Sequence, residues 1–235
     1  MCGRYTLTDP DPRLLRFRFG LSESAEIDQP PRYNVAPTDP VLAIRLDGEG
    51  RPEPGILRWG LIPQHADPET FDRLLINARA ETVAEASAFR EPFRTGRCLI
   101  VADGFYEWRQ EETGKKPVWI TRPSREPFAF AGLWEVWRGP DRDQDPIASC
   151  TIITGEPNEK MAEVHDRMPV MLPPSAWDEW LNADENDLDL LGKFLVPAPS
   201  ELITIHPVST EVNNVRNQGP QLMDPVDPPD PAEPT

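Results

Sequence analysis

The chain has 235 residues, of which 38% are hydrophobic and 8% aromatic, enough apolar material for a core and too much for wholesale disorder. It carries 40 acidic and 24 basic residues, and this net charge of −16 opposes long-range attraction to nucleic acid. No apolar run approaches the ~18–20 residues that span a bilayer, and the first residues lack a secretion-signal pattern, so we expect a cytoplasmic protein without membrane attachment.

The hydrophobic pattern along the chain predicts mainly strands, with a few short helices. Helices are expected at 9–19, 80–90, 157–164, 175–181 and 185–195. Strands are expected at 41–46, 55–62, 118–121, 128–137, 147–154 and 202–209, and the segment 98–108 is expected to begin as a buried strand. Residues 28–40 contain four prolines and predict a structured loop, and residues 139–146 predict a polar turn.

The order of these elements shows no alternation of strand and helix, so the predicted class is α+β. We expect a single compact domain over residues 1–222, with a mostly antiparallel or mixed, barrel-like sheet core and a few peripheral helices. From residue 224 onward the sequence DPVDPPDPAEPT has no aromatic or basic residue. Residues 223–235 are therefore predicted to form an acidic, proline-rich disordered tail.

The acidic surface has two interpretations, an ordinary soluble protein or a protein of a high-salt cytoplasm. Only four of the basic residues are lysines, which favours the halophilic interpretation, because screening there reduces self-repulsion while charge maintains solubility. Contact with DNA then needs local arginines and an interaction stronger than long-range attraction.

Cys2 becomes the first residue once Met1 is removed, as initiator methionine commonly is before a small residue. It then carries an α-amine with a pKa near ~7.7–8.0 and a thiol with a pKa near ~8.5, which the nearby charge of Arg4 lowers. Such a 1,2-aminothiol condenses with an aldehyde to an imine, which the sulfur closes to a thiazolidine. The alternative is an incidental second residue, and from this feature alone it is the better choice.

The motif INARAET (76–82) places Asn77 and Arg79 after an apolar run. An amide can orient a reacting group, and a guanidinium can hold a phosphate with two parallel hydrogen bonds. The alternatives are that Asn77 caps a helix and that Arg79 pairs with Glu81 or Glu85.

Glu107 and His165 are the candidate acid and base. Glu107 lies among aromatic residues in ADGFYEW (102–108), where partial desolvation raises the pKa of a carboxyl. His165 follows the predicted 157–164 helix, whose C-terminus favours a protonated imidazole. The alternatives are an exposed Glu107 with Trp108 in the core, and a His165 that only caps the helix.

Further amides and arginines occur at Asn34 and in the segment 213–218, which includes Arg216, although loop-forming asparagines explain them equally well. Cys98 and Cys150 lie in apolar strand segments and are predicted to be buried and inert. The odd cysteine count, the absence of CxxC and of zinc-ligand spacing, and the absence of nucleotide-binding motifs predict no disulfide, no metal and no cofactor.

Taken together these segments are more specific than any one alone, and the chain closely resembles the SOS response-associated peptidase family. The matching stretches are MCGRYTL (1–7), RYNVAPT (32–38), WGLIP (59–63), INARAET (76–82), RCLIVADGFYEW (97–108), FAFAGLWE (128–135), HDRMPV (165–170) and HPVSTEVNNVRNQG (206–219). They span nearly the whole chain in the family's order. Members of this family crosslink to abasic sites in single-stranded DNA, and their fold is a compact α+β domain with a barrel-like core.

The resemblance implies a role for each candidate residue. Cys2 is the nucleophile, exposed after release of Met1 by autopeptidase activity, and Asn34 and Asn77 orient it and the opened sugar. Glu107 transfers protons, and His165 is a second acid or base at the sugar hydroxyl. The residues expected to contact DNA are Arg4, Arg79, Arg167, Arg216 and His65.

One departure concerns the aromatic residue, commonly Trp, that many family members carry after the WGLIP segment to stack on a base beside the lesion. Here Gln64 and His65 follow Pro63, so either His65 or Phe71 has to provide the stacking surface.

We expect a monomer that acts on single-stranded DNA. Three alternatives remain open: a cysteine peptidase with His165 as base, a non-catalytic single-strand binding module, and an N-terminal-nucleophile amidohydrolase.

Overall fold

The computed structural model describes residues 2–67, 71–139, 145–184 and 187–226. The strands in this part of the chain are β1 (Arg4–Leu7), β2 (Arg32–Val35), β3 (Pro40–Leu46), β4 (Pro52–Trp59), β5 (Asn77–Arg79), β6 (Arg97–Ala102), β7 (Gly104–Glu111), β8 (Gly114–Thr121), β9 (Phe128–Trp137), β10 (Ile147–Gly155), β11 (Met168–Pro169), β12 (Met171–Leu172) and β13 (Thr204–Pro207). The α-helices are α1 (Pro12–Phe19), α2 (Arg90–Thr95), α3 (Glu159–Ala162), α4 (Trp177–Asn182) and α5 (Leu188–Lys193). Short 3₁₀ helices cover Pro174–Ala176, Ser200–Leu202, Thr210–Asn213 and Pro220–Met223.

Five of these strands close into a barrel in the order β10-β4-β3-β6-β9 and back to β10. The β4–β10 pair is parallel and the other four contacts are antiparallel, so the barrel is mixed. β6 is buried along its whole length, as expected for a strand whose sequence is a largely apolar run. Closure leaves the central strands without an open edge, and the short strand β5 adds in parallel to β10.

A second sheet is antiparallel throughout, in the order β13-β8-β7-β1-β2. Its centre is the pair β1–β7, in which Tyr5 lies opposite Phe105. Tyr5 also packs edge-on against Trp59 of the barrel, with ring centroids 5.3 Å apart, and Phe105 packs against Phe130 at 5.9 Å. The two sheets therefore share one apolar core, and each aromatic pair adds about 0.5–1.5 kcal/mol to the energy of burial.

The predicted class and the barrel-like core are confirmed, but three local predictions are wrong. Residues 80–89 form successive turns rather than a helix, which begins only at Arg90. The proline-rich loop 28–40 contains β2, which tolerates the flanking prolines because it lies at the edge of its sheet. The 157–164 helix starts at Glu159, because the Asn158 side chain caps it by accepting a hydrogen bond from the Met161 N–H.

The tail predicted from residue 223 begins too early. Leu222 is fully buried, Pro225 pairs with Val208, and the Val226 N–H donates to the Pro207 carbonyl at 2.9 Å. The ordered chain thus extends past the predicted boundary, and the rest of the predicted tail, 227–235, lies outside the described residues, as does most of the predicted turn at 139–146. No helix of the described part is long and apolar enough to cross a membrane.

Candidate active site

Cys2 lies two residues before β1, in the core that the two sheets share. Its side chain is fully buried, with the Sγ atom 3.9 Å from the Arg4 carbonyl oxygen. Burial, and then the nearby Glu107 carboxylate, raise the pKa of the thiol far above its ordinary value. The pairing of Arg4 with Tyr106 places the residues before Arg4 alongside Glu107. With Met1 in the chain, Cys2 is therefore an inaccessible, protonated thiol next to a carboxyl group.

Glu107 is only 3% exposed, whereas Trp108 is partly exposed, so the alternative of an exposed Glu107 with Trp108 in the core is wrong. Burial raises the pKa of Glu107 from 4.5 to about 7, and the positive charge of the amino terminus limits the rise. Glu107 is thus desolvated by burial, in the direction that the sequence predicts for its pKa. At neutral pH this carboxyl is present in both protonation states, as a proton donor and acceptor must be.

Asn77 begins β5 and pairs with Ile152 of β10. Its Nδ2 atom donates to the Ile76 carbonyl at 3.0 Å and reaches the Ile152 carbonyl at 3.5 Å. Its Oδ1 atom is buried and accepts no hydrogen bond from any described residue. Turns rather than a helix follow β5, so Asn77 is not a helix cap, and its carboxamide oxygen remains available to a ligand.

His165 lies three residues beyond the end of α3, on the segment that leads to β11. The Arg167 backbone N–H lies 3.0 Å from its Nδ1 atom, and the same atom is 2.7 Å from Asp166 Oδ1. Nδ1 cannot accept from one and donate to the other at the same time. Burial, followed by the charge of the amino terminus, lowers the pKa of His165 and so favours the neutral ring. In that ring we assign Nδ1 as acceptor from the Arg167 N–H, with the proton on Nε2, because the backbone N–H is fixed whereas the exposed Asp166 side chain can turn away. The expectation that a helix C-terminus keeps this histidine protonated is wrong.

An open cleft beside His165 is lined by both arginine candidates of the motifs, Arg79 and Arg167. The Arg167 guanidinium makes a bidentate ion pair with Glu81, at 2.5 and 3.0 Å, and also donates to the Thr154 carbonyl. Arg79 is exposed, and within the described residues it takes part in none of the ion pairs. The salt bridge to Glu81 expected for Arg79 is thus made by Arg167, although the charge of Arg79 still acts on Glu81.

Arg4 and Asn34 contact each other and are not among the described residues that line this cleft. Arg4 Nη1 donates to Asn34 Oδ1 at 2.8 Å and to the Val212 carbonyl at 2.9 Å. The fully buried Asn34 amide donates to the carbonyls of Val212, Asn214 and Asn217 at 3.1–3.2 Å. Both side chains therefore tie the start of the chain to the segment 212–217.

The remaining candidates lie at the surface. Arg216 is exposed within the 212–217 segment, and His65 is exposed in a turn after β4. Phe71 is partly buried in the same connection between β4 and β5. Cys98 and Cys150 are fully buried in the barrel, as predicted. Glu81 is the residue that sequence reasoning did not select for the site, although its position two residues after Arg79 was a signal.

The chain belongs to the SOS response-associated peptidase (SRAP) family, whose sequence profile matches residues 1–215. Among its relatives is the abasic site processing protein YoqW of Bacillus subtilis, 42% identical over 226 residues that cover 95% of this chain and 99% of the relative. The abasic site processing protein HMCES of Gallus gallus is 31% identical over 97% of this chain and 78% of its own length.

The fold is also found in a solved structure of a protein from Bacteroides thetaiotaomicron. The two superpose with a TM-score of 0.81 over 96% of this chain and all of the other, at 22% identity. At that identity the likeness establishes the fold alone.

Proposed function

We propose that this chain, once Met1 is removed, forms a covalent thiazolidine crosslink between Cys2 and the aldehyde of abasic sites in single-stranded DNA. Membership of the SRAP family and the printed names of its relatives as abasic site processing proteins support an abasic-site substrate. The observation that supports the chemistry is the burial of Cys2 near Glu107, whose charge acts on the thiol and whose own pKa lies at about 7. The crosslink shields the lesion during the DNA damage response.

The first step is the attack of the Cys2 amine on the ring-opened aldehyde. The amine nitrogen forms a bond to the carbonyl carbon as the C=O π bond breaks, and a proton passes from that nitrogen to the oxygen to give a neutral carbinolamine. Protonated Glu107 then gives its proton to that hydroxyl, which leaves as water, and an iminium ion remains. Because the pKa of Glu107 is about 7, the acid form is present at neutral pH.

The second step closes the ring. The Cys2 sulfur adds to the iminium carbon, the electron pair of the C=N bond moves to nitrogen, and the thiol proton passes to the Glu107 carboxylate. The net reaction joins protein and aldehyde with loss of one water. The resulting five-membered ring contains no imine, so it resists the hydrolysis and β-elimination that a Schiff base allows.

Asn77 and His165 form hydrogen bonds with the opened sugar in this proposal. The unpaired Asn77 Oδ1 accepts a hydrogen bond from the carbinolamine or from a sugar hydroxyl. His165 is the residue that we assign as donor to the opened sugar through Nε2–H, and on proton uptake Asp166 stabilises the imidazole. Asn34 acts on Cys2 indirectly. It accepts a hydrogen bond from Arg4 and so holds the strand that begins after Cys2.

Arg79 and Arg216 are the arginines whose exposure suits direct contact with phosphates. Arg167 lies in the same cleft as Arg79 with its guanidinium on Glu81, and Arg4 is held inside the protein. With a net charge of −16, such contacts hold DNA weakly, and they weaken further with salt. A covalent bond to Cys2 removes the dependence on that electrostatic attraction.

The test is the intact mass of the protein before and after incubation with an oligonucleotide that carries one abasic site. The expected starting mass lacks one methionine, and the expected product is a heat-stable adduct formed with loss of one water. Cys2→Ala abolishes the adduct, and Cys150→Ala, a change at a buried cysteine of the barrel, preserves it. Complete removal of Met1 without any adduct contradicts the proposal.

A second candidate function is a thiol peptidase, which the description of the family as a peptidase favours. Its simplest form is self-processing, in which this chain cleaves the bond between Met1 and Cys2. Refolding of the purified full-length chain without any aminopeptidase tests it. Intact mass gives the ratio of processed to unprocessed chain, and a ratio that rises with time in the wild type, but does not rise in Glu107→Gln, supports self-processing.

A further inference from the structure

We infer that Glu81 is a positioning residue that fixes the tautomer of His165 by holding Arg167 in place. Its importance for crosslinking rests on the proposed function, whereas its geometry is a property of the folded chain. The Glu81 carboxylate accepts two hydrogen bonds from the Arg167 guanidinium, from Nη1 at 2.5 Å and from Nη2 at 3.0 Å. Such a paired arrangement fixes orientation as well as distance.

The backbone of Arg167 links the Glu81 ion pair to the imidazole of His165. The Arg167 N–H lies 3.0 Å from His165 Nδ1, so the residue anchored at its far end by Glu81 is also the donor to the ring. Nη2 of the same guanidinium donates to the Thr154 carbonyl of β10, which attaches the anchor to the barrel. The Arg167 side chain is 17% exposed and the Glu81 side chain 45%, so the pair is shielded on one side only.

This arrangement selects one protonation state. While Nδ1 accepts from the Arg167 N–H, the ring is neutral and its proton is on Nε2. Proton uptake turns Nδ1 into a donor, so the Arg167 N–H loses its acceptor and Asp166 Oδ1, at 2.7 Å, takes over as partner. Other charges that act on the ring are the amino terminus, Lys115 and the Arg167 guanidinium. Glu81 therefore favours the neutral ring through a hydrogen bond, although its own charge favours the cation.

These two effects have opposite signs, which makes the inference testable. If Glu81 acts through the Arg167 N–H, Glu81→Gln and Glu81→Ala raise the pKa of His165, by about 0.7 for one hydrogen bond, a fivefold change in acid dissociation. If Glu81 acts only as a nearby negative charge, the same variants lower that pKa. Titration of the imidazole nitrogens by ¹⁵N NMR measures both the pKa and the tautomer, and the chain has only three histidines to assign.

Glu85→Ala is the matched control, because it removes the same charge from an exposed position four residues along the chain. It should leave the single Nε2–H tautomer of His165 intact, whereas Glu81→Ala should produce a mixture. An unchanged or lowered pKa in both Glu81 variants overturns the inference. The NMR result requires no DNA, so a chain that shows the expected shift but never crosslinks contradicts the proposed function and leaves the positioning role in place. With both correct, the acid limb of the crosslinking pH profile moves up by the same amount as the pKa.

Discussion

Replacement of Glu107 by Gln removes a buried titratable group while it retains the size of the side chain. The pKa of this carboxyl is raised from 4.5 to about 7 in the folded protein, and in the unfolded chain it returns to its ordinary value. That difference corresponds to about 3 kcal/mol. Between these pH values the folded protein binds a proton that the unfolded chain has released. The unfolding free energy of the wild-type protein therefore falls as the pH rises through this window, and the loss is complete above the folded pKa.

The Gln variant has no such proton to lose. Relative to wild type, its unfolding free energy should rise by about 3 kcal/mol between about pH 4 and about pH 8, with nearly all of the change inside the window. At the same time crosslinking should slow by about 10²–10⁴-fold, because the proton donor is gone. A gain in stability with a loss of activity is expected of a group that is held charged at a cost.

Urea unfolding followed by the fluorescence of the seven tryptophans measures the free energy at each pH. Glu111→Gln, an exposed change at the end of the same strand, is the control and should show no such pH-dependent difference. A difference between Glu107→Gln and wild type that stays constant from acid to alkaline pH refutes the reasoning. It would mean that the carboxyl is not desolvated in the folded protein.

Three further results are expected. Cys2→Ser keeps the terminal amine but lacks the sulfur, so its adduct should survive heating only after borohydride reduction, which a denaturing gel run with and without reductant detects. Arg79→Ala should reduce the dependence of log K on log salt by about 0.7 in anisotropy titrations of single-stranded DNA, whereas Arg13→Ala on α1 should not. Asp103→Asn should lower the unfolding free energy by about 2–3 kcal/mol, because the buried carboxylate accepts from the Thr6 hydroxyl at 2.6 Å and from the N–H and hydroxyl of Thr8.

The raised pKa of Glu107 could be predicted from the sequence, because three aromatic residues surround it within one strand. The lowered pKa of His165 could not. A position just after a helix favours a charged imidazole, but α3 is only four residues long and ends before His165, so burial outweighs the helix dipole. Local sequence therefore predicted the direction of the pKa shift for Glu107, whose neighbours in sequence are aromatic. It failed for His165, whose pKa depends on packing against distant segments.

Contacts between distant segments could likewise not be predicted from the sequence. The pairing of Arg167 with Glu81 spans 86 residues, and it depends on β5 and β11 both lying beside β10. The Ala- and Glu-rich stretch 80–90 has good helix propensity, yet Val83 is buried in the core and the chain turns instead. Tertiary packing overrides a weak local preference in such cases.

The contacts of Arg4 and Asn34 with the carbonyls of 212–217 have a consequence for the order of events during synthesis. The strand that follows Cys2 is held by peptide groups that leave the ribosome more than 170 residues later. A growing chain lacks these partners, so its amino-terminal segment cannot adopt its final position until nearly the whole protein has been made. Cys2, the second residue to be translated, is thus among the last to reach its final position, and under the proposed function its reaction with an aldehyde waits until the surrounding protein exists.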